Sequence, residues 1–185
     1  MPLSTNNINI PVFAGHGTTA MTSPATREQI IRDASHPSGA LLVGACYNAF
    51  RRELSSLAAE DVNDLISPAV GTSGEFLSLM SEAPTNNPFL SGLSLLLVQS
   101  LRYLVYVEAN QDVTDSLNPF SEYLHLNSEH GVGVVGFSSG ILPACAVASS
   151  EDGLSFMRHT VEIFRYAFWL GLRSDQYQHN AIRKA

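Results

Sequence analysis

The sequence predicts an α/β protein in which a short parallel sheet is flanked by helices. Three observations carry that prediction. Two brief apolar runs, at residues 9–14 and 131–136, each stop at a glycine-rich turn, as buried strands do. Long segments between and after them repeat their apolar residues every three or four positions, the period of an amphipathic helix. And the strands alternate with helices, which is the α/β pattern.

The composition supports a packed core. The chain has 185 residues, the length of one domain, 1–185, and 45% of them are hydrophobic. Charged residues make up only 15%, against about 25% in an average soluble domain. That scarcity implies neutral polar cover, or apolar surface that expects a partner and could be covered in an oligomer. The net charge of −7 and the lack of basic clusters beyond Arg51-Arg52 and Arg183-Lys184 argue against nucleic-acid binding. Cys46 and Cys145 lie in apolar helical contexts and read as packed thiols. With no disulfide framework and no signal-peptide pattern at the N-terminus, a reducing, cytoplasmic location is expected. The most apolar stretch, residues 93–107, is interrupted by Gln99, Ser100 and Arg102, so it reads as a buried helix and not a membrane span.

Along the chain, residues 9–14 form the first strand, with Pro11 near its start and Gly15-His16-Gly17 closing it. Thr26 and Gln29 suggest a capping box for a helix to residue 34. Pro37, Ser38 and Gly39 punctuate the chain, and Leu42, Cys46, Phe50, Leu54 and Leu57 then mark a helix over residues 40–59, with Arg51, Arg52 and Glu53 at its edge or outer face. Short helices are expected over 61–66 and 75–81, a loop over 84–88, a long helix apolar on most sides over 91–108, and a polar, turn-rich stretch over 110–127. The second strand, residues 131–136, has no alternation and is expected to be buried on both faces. A helix over 141–149 follows, and the last one runs over 154–172 with the stripe Leu154, Met157, Val161, Phe164, Phe168 and Leu172. Arg158, Glu162 and Arg165 can pair opposite that stripe.

The segment Gly136-Phe137-Ser138-Ser139-Gly140 fits G-x-S-x-G where a buried strand meets a helix, the setting of a nucleophile elbow. The sharp turn lifts the serine oxygen off the sheet, and flanking glycines remove Cβ atoms that would collide. The helix behind it turns free N–H groups and its positive dipole end toward a developing oxyanion. Pro143 falls in the first turn, where no donor is needed. The competing reading is a serine that only caps a helix. Gly15-His16-Gly17-Thr18-Thr19 is a second candidate, because a glycine-flanked turn at a strand end can offer backbone N–H groups to an anion or carbonyl oxygen. The bland alternative is a turn shaped by glycines with an exposed histidine. No metal-ligand pattern is present.

Four segments, PVFAGHGTT, LLVGACYNAFRREL, NPFLSGLSLLLVQSLRYL and VVGFSSGILPACAVASS leading into VEIFRYAFWLGLR, resemble the malonyl/acyl-transferase superfamily. Within it they are most similar to the starter-unit acyl-carrier-protein transacylase domain of fungal non-reducing polyketide synthases, and they follow that family's order. The resemblance implies a partial acyltransferase (α/β-hydrolase-like) fold. It further implies that Ser138 takes an acyl group from a thioester such as acyl-CoA and passes it to the phosphopantetheine thiol of an acyl carrier protein, with no bound cofactor. His16 stands where the family places a glutamine beside the oxyanion hole, and the backbone N–H of Ser139 is the other expected donor. Gly15, Gly17, Phe137 and Gly140 would line the substrate.

The departures from the family are specific. Starter-unit domains commonly carry cysteine where this chain has Ser138. Ile163 falls where malonyl-specific members place an arginine, with Arg165 two residues on, which favours an uncharged acyl group. The family's histidine base lies downstream, after a small inserted subdomain, and neither occurs within these 185 residues. A serine without a base is a weak nucleophile, and His16, His130, His159 and His179 are the available substitutes. Two other functions therefore compete with the transferase: a non-catalytic remnant that binds a polyketide synthase or carrier protein, and a small serine esterase or thioesterase in which Asp175 and His179 complete a triad.

Overall fold

The computed structural model describes residues 10–15, 23–58, 70–82, 87–109 and 133–182, with side chains to residue 177. The described elements are β1 (Val12–Phe13), α1 (Pro24–Ser35), α2 (Pro37–Leu54), α3 (Ser73–Ser81), α4 (Pro88–Ala109), β2 (Val135–Gly136), a 3-10 turn (Ser138–Gly140), α5 (Ile141–Ala148) and α6 (Gly153–Ile182). The expected helix over 61–66 and the polar stretch over 110–127 lie outside the described residues.

The protein is α/β but mostly helical. β1 and β2 pair in parallel, with Val12 opposite Val135 and Phe13 opposite Gly136. The ladder is short: Val135 N–H donates to Pro11 O at 3.0 Å and Phe137 N–H to Phe13 O at 2.9 Å. The expectation of a second strand buried on both faces, and of a buried first one, is corrected. Phe13 is buried, edge-on to the Tyr103 ring at 5.7 Å, whereas Val12 is 61% and Val135 39% exposed on the opposite face. Among the described residues the sheet is therefore covered at Phe13 and open at Val12 and Val135.

Helix starts are set by local chemistry. Ser23, not Thr26, caps α1: its Oγ accepts the Thr26 N–H, and Pro24 takes the first helical position, where its fixed φ fits and its missing donor costs nothing. Gln29 instead donates to Asp33 at 2.6 Å. Pro37 likewise begins α2 instead of preceding it. α3 opens with a reciprocal capping box between Thr72 and Glu75.

The core is a run of aromatic contacts across α2, α3, α4 and α6. Phe50 meets Phe76 at 5.2 Å, Phe76 meets Phe164 at 6.0 Å, and Phe168 meets Phe89 at 5.1 Å. These tilted and edge-on pairs are the favoured geometry for buried rings. α4 is long and apolar enough to cross a membrane, yet 67% of its most apolar window is buried inside the molecule. α6 is longer than expected, and its buried stripe is Phe156, Thr160, Phe164, Phe168 and Leu172, whereas Leu154 is exposed.

Two further expectations change. Glu53 is buried, not outward. Its carboxylate accepts Arg165 Nε at 2.5 Å and Trp169 Nε1 at 2.9 Å, tying α2 to α6. Burial pushes its pKa up, but those hydrogen bonds and the Arg165 charge outweigh it and hold the carboxyl below the usual glutamate range. Cys145 is exposed, while Cys46 is fully enclosed, with its thiol pushed up to about 12 by burial.

Candidate active site

The strand–serine–helix turn is built as a strained corner. Phe137 leaves β2 in extended conformation (φ −108°, ψ 130°), and Ser138 then adopts φ 53°. It is the only non-glycine residue with positive φ among the described residues. Such a conformation costs a side-chain-bearing residue roughly 1–3 kcal/mol and persists only where its surroundings over-determine it. Here they do: Gly140 N–H closes onto Phe137 O at 2.9 Å, and the Ile141 N–H reaches the carbonyls of Ser138 and Ser139. α5 then carries the chain away, with Pro143 buried at its third position, inside the turn where no intrahelical donor is required.

Close backbone approaches explain both glycines of the motif. A Cβ on Gly136 would lie 2.6 Å from Gly140 O and 2.7 Å from Ile141 Cα, and one on Gly140 would lie 2.3 Å from Phe13 O and 2.7 Å from Ala14 O. The corner is thus folded onto the end of β1. Gly15, the next residue of that strand's exit, sits against the serine itself: a Cβ there would be 3.2 Å from Ser138 Oγ.

The structure brings Gly15, Phe137, Ser138, Ser139 and Gly140 together. Ser138 is exposed, Phe137 is 62% exposed beside it, Ser139 is half-buried and Gly140 is buried. Val12, Val135, Phe137 and Ile141 give the open side of this corner an apolar surface. His16, Gly17 and His130 lie outside the described residues. His159 does not approach Ser138: its Nδ1 is 3.2 Å from Ser149 Oγ and 3.3 Å from Ser150 Oγ, at the opposite end of α5. Asp175 and His179 fall on the continuous helix α6. Arg165 is committed to Glu53 and, at 3.0 Å, to Glu162. Among the described residues none hydrogen-bonds the Ser138 hydroxyl, and no group of three or more His, Cys, Asp or Glu could hold a metal ion.

Two arrangements were not foreseen from the sequence. Gln99 reaches from α4 to donate its amide to Ala14 O at 2.8 Å; the available signal was a lone amide inside an apolar helical run. Ser38 and His36 meet Glu108 at the α2 start, where Ser38 Oγ donates to Glu108 Oε2 at 2.5 Å and His36 Nδ1 lies 3.1 Å from the same oxygen. His36 Nδ1 is also 2.9 Å from Ser38 Oγ, so the three groups form one polar cluster joining the start of α2 to the end of α4.

Comparison of the sequence with known proteins gives a consistent set of matches. The family model described as starter unit:ACP transacylase in aflatoxin biosynthesis matches residues 12–184. The chain is 48% identical over 167 residues to an orsellinic acid synthase of Armillaria mellea and 47% identical over 167 residues to that of Armillaria ostoyae, alignments that cover 89% of this chain. It is 26% identical over 171 residues, 91% of the chain, to an orsellinic acid synthase of Beauveria bassiana. The chain spans 7% of the length of each of these relatives. No solved structure matches at a significant level.

Proposed function

Since the chain belongs to the starter unit:ACP transacylase family, we propose that Ser138 is the nucleophile of an acyl transfer in fungal polyketide biosynthesis, from an acyl-CoA-type thioester to the phosphopantetheine thiol of an acyl carrier protein. The observation that carries this reading is the φ of 53° at Ser138 on a strand-to-helix corner, the geometry of a nucleophile elbow. In the first half-reaction Ser138 Oγ attacks the thioester carbonyl. The C–O bond forms, the C–S bond breaks, and the thiol departs with the proton that Ser138 loses. In the second the carrier thiol attacks the serine ester: a C–S bond forms, the C–O bond to Ser138 breaks, and the proton lost by the thiol returns to the hydroxyl. His16 and the Ser139 backbone N–H are the oxyanion donors in this scheme, with Gly15 and Gly17 shaping the turn beside them.

The starter in this reading is an uncharged acyl group. Phe137, Val135, Ile141 and Val12 supply an apolar surface next to Ser138, and Arg165 is held by Glu53 and Glu162, away from the role of a carboxylate clamp. The acyltransferase fold and the carrier-protein or synthase partner belong to the same proposal.

A second reading, a domain that binds its synthase or carrier protein without chemistry, is favoured by the exposed apolar side chains Val12, Phe137 and Ile141. Intact mass after incubation with acetyl-, hexanoyl-, octanoyl- and malonyl-thioesters separates the two. The transferase reading expects one acyl adduct from a neutral donor, absent in Ser138→Ala and weaker or absent with malonyl. No adduct from any donor favours the binding role.

A further inference from the structure

We propose that Gln99 is a positioning residue that fixes the Ala14–Gly15 peptide against the Ser138 corner; its link to acyl transfer rests on the reading of Ser138 as nucleophile. Three observations meet at this point. First, Gln99 Nε2 donates to Ala14 O at 2.8 Å, and no other side-chain hydrogen bond reaches Ala14 or Gly15 among the described residues. Second, Gln99 Oε1 is buried and has no hydrogen-bond partner among them. A buried acceptor left unmet is destabilising, so the amide is poorly explained as a device for stability alone. Third, Ala14 O lies 2.7 Å from where a Cβ of Gly140 would be, while a Cβ on the adjacent Gly15 would be 2.6 Å from Ser138 Cβ.

Peptide planarity turns one hydrogen bond into control of the whole unit. Holding the Ala14 carbonyl toward α4 fixes the plane shared with Gly15, and so the Gly15 N–H points away from Gln99. One helical turn on, Tyr103 packs its ring on Phe13 at 5.7 Å. Residues four apart share a helix face, so one face of α4 grips both the side chain and the backbone at the exit of β1. That grip sets how closely β1 rests on the corner, through Gly140 and Gly15, and thereby where Ser138 Oγ stands.

The test compares wild type with Gln99→Met, which keeps length and removes both the donor and the orphaned acceptor, and with Gln99→Glu, which keeps the shape and loses the donor. Three quantities are read on the full chain: melting temperature, amide hydrogen exchange at Phe137 and Gly140, and the saturating rate and half-saturating concentration for acylation of Ser138 by octanoyl-thioester. In Gln99→Met the melting temperature stays at or above that of wild type, while exchange at Phe137 and Gly140 rises about 10-fold. The saturating acylation rate falls on the order of 100-fold, with little change in half-saturation. Gln99→Glu shows the same exchange and rate changes. Unchanged exchange at Phe137 and Gly140 in both variants overturns the proposal, as does faster exchange with the acylation rate intact. If wild type takes up no acyl group, the nucleophile reading fails and the link to chemistry falls with it. The exchange data still decide whether Gln99 positions the corner.

Discussion

Gly15 faces Ser138 with no room for a methyl group between them: a Cβ on Gly15 would lie 2.6 Å from Ser138 Cβ and 2.8 Å from Phe137 O. Gly15→Ala therefore has to push β1 and the corner apart. The expected result is a chain that keeps its helical circular dichroism but acylates at Ser138 on the order of 100-fold more slowly, because small displacements of a reacting group are costly. Intact-mass time courses beside wild type would measure it, and an undiminished rate would show that this approach does not set the serine's position.

Ser138 carries backbone strain that a residue without Cβ does not feel. Ser138→Gly should be more stable than Ser138→Ala by about 1 kcal/mol, although glycine ordinarily weakens a fold. Denaturant unfolding of the two variants gives the comparison, and an alanine variant as stable as the glycine one would mean that the corner relaxes when the hydroxyl is gone.

The Glu53 carboxylate contributes stability that depends on pH. Its folded pKa is held down, so the contribution is complete above the ordinary glutamate value of about 4.3 and is lost as pH falls through the lower folded value. Glu53→Gln should cost on the order of 1–3 kcal/mol near neutrality, with the gap from wild type narrowing in acid. Melting curves from pH 7 down to the acid limit would show it; a gap independent of pH would count against the ionised pair.

Thiol labelling should distinguish the cysteines. Cys145 is exposed and should react with a maleimide in the native protein, while Cys46, enclosed and with its thiol pushed up to about 12, should react only on unfolding. Mass spectrometry before and after denaturant reads one label and then two.

Much of this architecture was legible in the residues. The apolar period located the helices, and G-x-S-x-G between a strand and a helix located the corner, because a tight approach of backbones leaves glycine few substitutes at Gly136 and Gly140. What escaped was tertiary. Glu53 looked like part of a charged helix edge, since nothing in its neighbourhood announces Arg165 and Trp169, 112 and 116 residues away. The same holds for Gln99 and Ala14, 85 residues apart. Helix starts moved by a few residues because Ser23, Pro24 and Pro37 act as starts where the periodicity alone sees only punctuation. The bare face of the sheet was not legible either. A run such as VGVVG reads as buried whichever side is covered.

That one-sided covering separates two tasks. Phe13 and the aromatic core beneath it hold the corner from within, so substitutions there alter the mount and are felt by every residue above it. Val12, Val135 and Phe137 face outward and bear none of that weight. Substitutions at those three side chains should therefore change the apolar surface beside Ser138 while leaving the packing under Phe13 as it is.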